Sequence, residues 1–193
     1  MSIFRELLNP ALVRELEREF NTDVLLFGFD GFTYFGNLQA IDDCRIAILT
    51  PAVSARSGNV EILTPGGELV EVRFARVDLW QLVGKGTGIV SNPLISSPPD
   101  GPIVLQQVGM EATERQESSD LLKWLSRQLG DDVLITTLGG FLVEGTLSEL
   151  NDCLAVLSVD DVFIPGTSSS ISSDTLRSVV INLKAITSVS GAT

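Results

Sequence analysis

The stretch "DVLLFGFDGFTYFGNLQAIDDCRIAIL" at 23–49 is spoken again as "DVLITTLGGFLVEGTLSELNDCLAVL" at 132–157. At a shift of 109 positions the chain aligns with itself without a gap from about 12 to 48. The identities are Leu16/Leu125, Arg18/Arg127, Asp23/Asp132, Val24/Val133, Leu25/Leu134, Gly31/Gly140, Phe32/Phe141, Gly36/Gly145, Leu38/Leu147, Asp43/Asp152 and Cys44/Cys153. Most other pairs keep their character, as with Leu26/Ile135 and Ile48/Leu157. The chain therefore carries one module twice.

Each copy is expected to open with a helix. Asn9 is a good N-cap and Pro10 suits the first helical position. Leu12, Val13, Leu16 and Phe20 recur at helical spacing, as do Leu121, Leu122, Leu125 and Leu129 after a cap at Ser118 or Ser119. Both helices should stop at residues tolerant of left-handed geometry, Asn21 and Gly130. Strands follow, with hairpin turns at Asp30-Gly31 and Gly139-Gly140. Phe141, Val143 and Leu147 alternate with Glu144, Thr146 and Ser148, the period of a half-buried strand. Gly36 and Gly145 interrupt the two copies at one place, which marks a bend or a close backbone approach. A third strand begins at each cysteine. Copy one then adds a hairpin around "TPGGE" at 64–68, and copy two a longer Ser-rich loop before "RSVVINLKAITSV" at 177–189.

The expected fold is mainly β with short helices: two small, strongly bent five-stranded barrels, each preceded by a helix. Copy one spans 1–84, copy two spans 119–193, and the Gly/Pro/Ser-rich segment 85–118 is the linker, with a short strand at "PIVLQQV" (102–108).

Composition narrows the function. The net charge is −12, spread as −5, −2 and −5 over those three segments, so none is a basic arm. Nucleic-acid affinity rests on neutralising phosphates with Lys and Arg; DNA is therefore not an expected partner, and RNA is disfavoured. The chain has no histidine. That removes the usual acid/base and triad chemistry and His-bearing zinc sites, so no enzyme activity, cofactor or metal site is expected. No apolar run reaches the roughly 20 residues of a membrane span. The N-terminus "MSIFRELLNPALVRELEREF" does not read as a signal peptide, and two cysteines do not make a disulfide framework. The expected location is the cytoplasm.

The pattern of turn Gly, a second Gly five residues on, Leu and an apolar-Asp step resembles the first motif of the Sm-like family. Copy one carries it as Asp30, Gly31, Gly36, Leu38, Ile41 and Asp42, and copy two as Gly139, Gly140, Gly145, Leu147, Leu150 and Asn151. The family's base-holding Asn falls, with a one-residue deletion, at Arg45 and Leu154. Its Arg-Gly step is matched only by Arg76-Val77 and Lys184-Ala185. The resemblance implies Arg45, Arg76 and Lys184 as candidate RNA contacts. It also implies that edge strands pair between subunits into a ring, such as a trimer of chains presenting six modules. The function it implies is a non-enzymatic scaffold or binding platform; RNA binding at the pore is the alternative.

Other features read more plainly. Cys44 and Cys153 are expected to be buried small apolar residues in separate modules rather than a redox pair or ligands. Asp42-Asp43, Asp131-Asp132 and Asp160-Asp161 lack the spacing of a calcium loop and read as turn residues. "GKGTG" at 84–88 lacks the glycine and hydroxyl of a phosphate loop and reads as linker. Trp80 and Trp124 are expected in the core or an oligomer contact, and 167–173 is expected to be a flexible loop.

Overall fold

The computed structural model describes residues 8–55, 57–94 and 118–191. Most of the expected linker, including the strand expected at 102–108, lies outside the described residues. The described part is mainly β, with two short α-helices.

Copy one begins with α1 (Pro10–Glu17), whose cap is Asn9: its side chain accepts from the amides of Ala11 and Leu12. Leu12, Val13 and Leu16 form its buried face. The helix ends before Phe20, which is left 41% exposed. Strands β1 (Asp23–Gly28), β2 (Thr33–Asp42), β3 (Ile46–Thr50), β4 (Val60–Leu63), β5 (Leu69–Val72), β6 (Ala75–Asp78) and β7 (Leu82–Ile89) follow. Copy two has α2 (Ser118–Arg127), β8 (Asp132–Thr137), β9 (Leu142–Leu150), β10 (Leu154–Phe163), β11 (Ser170–Ser172), β12 (Leu176–Asn182) and β13 (Ile186–Gly191). Asn21 and Gly130 adopt φ of 61° and 90°, as expected of helix-ending residues.

All pairings are antiparallel. The strand order in copy one is β7-β1-β2-β3-β6, and in copy two β13-β8-β9-β10-β12. These are the same order of counterparts. Among the described residues neither set closes on itself: β7 pairs with β12, so the strands join one open sheet whose main path ends at β6 and β13, with β4, β5 and β11 lying off that path.

The pairings also refine the alignment of the copies. Ile46 lies opposite Asp78 as Leu154 lies opposite Asn182. The third strands therefore correspond as Ala47/Ala155 and Leu49/Leu157, one residue off the gapless match. The extra residue of copy one is absorbed in the β2–β3 turn, where Asp43 and Cys44 take φ of 52° and 53°. Leu25 opposite Gly86 repeats as Leu134 opposite Ser190, so β7 and β13 correspond at a shift of 104.

Two hydrophobic clusters form, and β1 feeds both. Val24 and Leu26 point into one with α1, Leu38, Leu49 and Leu82. Leu25 and Phe27 point into the other, most of which belongs to copy two. A strand buried on both faces is expected to read as a continuous apolar run, and "VLLF" does.

Three local expectations are corrected. Gly84–Gly88 is strand, not linker: a Cβ at Gly84 would stand 2.7 Å from the Val180 carbonyl and one at Gly86 2.7 Å from Leu176, so β12 requires glycine there. Part of the Ser-rich loop is β11, paired with β10. Both cysteines are exposed, because each sits in a turn rather than in the strand after it.

Gly36 and Gly145 do mark a close approach. A Cβ at Gly36 would lie 2.8 Å from Thr50 O, and one at Gly145 would run into Ser158 O. Gly145→Ala should destabilise the fold by about 1–3 kcal/mol, the usual cost of overpacking. Gly191→Ala, whose Cβ meets nothing nearer than 3.5 Å, should change it little. Urea denaturation midpoints compare the two; equal midpoints would refute the bend's tightness.

Candidate functional site

The joint between β7 and β12 and the two strand edges left over are the features that bear on function. In the joint, Ile181 lies opposite Gly84, Val180 opposite Lys85, Val179 opposite Gly86, Ser178 opposite Thr87 and Leu176 opposite Ile89. Beyond the ladder, Thr87 and Ser178 share a hydroxyl hydrogen bond at 2.6 Å, and Val90 N donates to Thr175 O at 2.9 Å. The Phe27 and Phe141 rings meet edge to face at 5.1 Å.

Polar groups fix the register. Asn9 Nδ2 donates to Cys153 O at 3.0 Å and to Asn182 Oδ1 at 2.9 Å. Asn9 and Asn182 are both buried. The residue that caps α1 thus also ties that helix to copy two. Lys85 is 1% exposed; its ammonium donates to Glu15 O at 3.1 Å and pairs with Glu19 at 3.3 Å. A cation at the end of a helix is well placed against its carbonyls. Sequence reading missed Asn9, Lys85 and Asn182 as joint residues: only Asn9 carried a signal, and that signal was the cap.

Glycine-rich tips meet on one side of the joint. A Cβ on Gly139 would stand 2.6 Å from Gly28 O, so the β1–β2 and β8–β9 turns touch backbone to backbone. Gly66 N donates to Pro165 O at 2.9 Å, joining the β4–β5 hairpin to the loop before β11.

The candidate RNA contacts are not gathered. Arg45 forms an ion pair with Asp78 at 3.0 Å and its guanidinium lies 4.6 Å over the Trp80 ring. Arg76 is exposed on β6. Lys184 Nζ donates to Leu8 O at 3.0 Å, across the joint. By strand register Arg76 corresponds to Val180, and Lys184 to Trp80, so the two basic residues are not counterparts. Trp124 packs against the larger cluster.

An open polar cleft of about 370 Å³ is lined by Glu19, Asn21, Asp23, Asn37, Val53 and Ile89. Its Asp23 carboxylate is already committed. It accepts from Val53 N at 2.8 Å, Ser54 N at 3.1 Å, Ser54 Oγ at 2.8 Å and Asn37 Nδ2 at 3.1 Å. The cleft therefore anchors the loop after β3. Among the described residues, no group of three or more His, Cys, Asp or Glu side chains is placed to hold a metal, and no helix is long and apolar enough to cross a membrane. No protein-family model matches the chain, and no curated protein matches it in sequence.

Burial pushes the Asp23 carboxyl up, but the hydrogen bonds from Val53, Ser54 and Asn37 outweigh it and hold the group below its ordinary 3.8. A depressed carboxylate stabilises the fold above that ordinary value and loses the effect as pH falls through the lower folded-state value. Wild-type protein should therefore lose stability in the range just below 3.8 by a component absent from Asp23→Asn. Urea titrations of both proteins across that range check this; parallel profiles would refute it.

Asn9→Ala removes a helix cap and the side-chain donor to Asn182 Oδ1 and Cys153 O. The loss should be about 2–4 kcal/mol, from roughly 1 for the cap and 0.5–1.5 for each of the two lost hydrogen bonds. A cost below about 1 kcal/mol, near that of the cap alone, in chemical denaturation would show that the joint contact adds nothing.

Proposed function

We propose that the chain is a non-enzymatic scaffold of two Sm-like modules that assembles with copies of itself, through edge strands, into a closed oligomer and serves as a binding platform in the cytoplasm. The modules are the two repeat units of 1–84 and 119–193, the first extended by β7 to Ile89. One observation carries the reading. The chain uses the edge of β7, the last strand of copy one, and that of β12, the next-to-last strand of copy two, for its own joint, and among the described residues leaves their counterparts β13 and β6 unpaired on that side. An unpaired edge is a template for another strand. A head-to-tail contact gives a ring where its rotation closes and a filament where it does not; a ring of three chains would present six modules.

RNA binding is the second reading, favoured by Trp80 and Arg45 at an accessible turn. Asp78 already neutralises Arg45, and the net charge of −12 opposes a polyanion. Light scattering at micromolar concentration should give a mass that is a whole multiple of the chain; a strict monomer would overturn the assembly reading. Filter binding to short U-rich and A-rich RNA should show no retention at any salt concentration. Retention that weakens with salt would instead select the RNA reading.

A further inference from the structure

Strand register makes copy two a control for copy one. Where the end of β1 and the start of β2 approach β6, copy one has a cavity of about 170 Å³, lined in part by Asp30, Tyr34, Arg76, Asp78 and Gln81. In copy two the matching positions are Gly139, Val143, Val180, Asn182 and Ala185. There the place is closed. Val143, Val180, Asn182 and Ala185 are all buried, and Asn9 reaches in to Asn182. One module fills this corner with small and apolar side chains, while the other leaves it open and lines it with polar ones.

Some of those polar groups are already spent. Asp78 accepts from the Arg45 guanidinium and from the Trp80 amide. The Tyr34 hydroxyl donates to Asp30 Oδ2 at 3.3 Å. Burial and the Asp30 charge push that hydroxyl up to about 12, so it stays a protonated donor at neutral pH. Asp30 also accepts from Phe32 N at 3.1 Å. A Cβ at Gly28 would run into the Asp30 carboxylate, and copy two, which has Thr137 there, has glycine in place of the acid. Neutral donors and a glycine thus aim the Asp30 carboxylate without cancelling its charge. Arg76, on β6, lines the same cavity. Among the described residues neither Asp30 nor Arg76 has an ion-pair partner, and they do not pair with each other. Opposite charges that share one small cavity without meeting leave room for a ligand that meets both.

We infer that this cavity binds a small zwitterion of amino-acid size, with its carboxylate on Arg76 and its ammonium on Asp30. A planar guanidinium offers a carboxylate two parallel N–H donors, and a fixed carboxylate complements an ammonium. A simple anion would be repelled by Asp30 and a simple cation by Arg76, so charge selects a ligand that carries both. Volume limits its size. Pockets for drug-sized ligands run from about 300 Å³ upward, and a nucleotide is too large for this one. Every group of the site belongs to copy one, so it is present in the chain whether or not copies assemble.

Tyr34 is the only tyrosine in the chain. Full-length protein labelled with carbon-13 in its tyrosine ring therefore reports on this cavity alone. Each common amino acid is titrated in turn, with acetate and ethylammonium as probes that carry a single charge. At least one amino acid should shift the Tyr34 signal saturably at millimolar concentration or below, and neither single-charge probe should. Asp30→Asn and Arg76→Gln each alter a residue that is exposed in the chain, so both should leave thermal unfolding unchanged. Each should weaken the binding at least tenfold, the loss of one charge-assisted contact. A Tyr34 signal that no amino acid moves overturns the inference, as does acetate or ethylammonium saturating it at the same concentration. A shift that survives both variants puts the ligand elsewhere and overturns it too. Oligomer mass by light scattering is a separate readout, so failure here leaves the assembly reading standing.

Discussion

The pairing of β7 with β12 is the constraint on which the rest of the structure depends. A strand in mid-sheet must place its backbone donors and acceptors on both sides, and β7 does so only because β12 lies beside it. That pairing brings copy two over the second face of β1, so Leu25 and Phe27 are buried and not merely apolar. It covers Lys85 and supplies Asn9 with Asn182. It also demands glycine at 84 and 86, where any side chain would meet β12 or what β12 carries. Without the joint these groups would lose their cover together, and the two halves would not share a hydrophobic cluster.

A joint made of two unlike edges has a consequence that a symmetric joint lacks. A two-fold contact would consume one kind of edge from both copies and leave two like edges; a head-to-tail contact between linked copies leaves one of each kind at the two ends. Natural edges are commonly guarded by charge, bulges or short length. The β6 edge is short and carries Arg76, with Arg73 just before it. The β13 edge has hydroxyls and no charged residue. The acidic surface, with a net charge of −12, opposes indiscriminate association. What protection the edges have is compatible with one specific neighbour and hostile to many random ones.

How much of this was legible can be traced to particular residues. Asn9, Pro10, Gly31, Gly36 and Gly145 act locally, through caps, turns and bends, and the sequence pattern located all of them. The gapless match failed at the β2–β3 turn because length in a turn is cheap. One more residue there, with Asp43 and Cys44 in left-handed geometry, shifts the correspondence of the third strands by one. Matching Arg76 with Lys184 by charge failed for the same reason: strand register sets Arg76 against Val180 instead. The glycines at 84–88 looked like a linker because composition cannot distinguish a flexible segment from a strand pressed against its neighbours. The joint itself left no mark on the sequence. Its strands are about 90–100 residues apart, and Lys85 and Asn182 resemble any surface Lys or Asn until their partners are in place.

The two copies diverge in what the polar groups at their matching edges depend on. The internal joint is made once, as the chain folds, and its polar groups can depend on a partner module. Asn182 is wholly buried, and two of its hydrogen bonds cross the joint, from Asn9 Nδ2 to its Oδ1 and from its Nδ2 to the Leu82 carbonyl. At the matching place on the β6 edge stands Asp78, which is satisfied inside its own module by Arg45 and the Trp80 amide. At the position in copy two that matches the buried Lys85 stands Val189, which needs no polar partner. Ser188 and Ser190 hydrogen-bond equally well to water. An edge that must be stable before it meets a neighbour has to be built from groups that water or the same module can satisfy, and both free edges obey that rule where the internal joint does not. The polar groups of the internal joint and of the free edges are thus divided by self-sufficiency, which is what the proposed assembly requires of an edge that meets its neighbour only after folding.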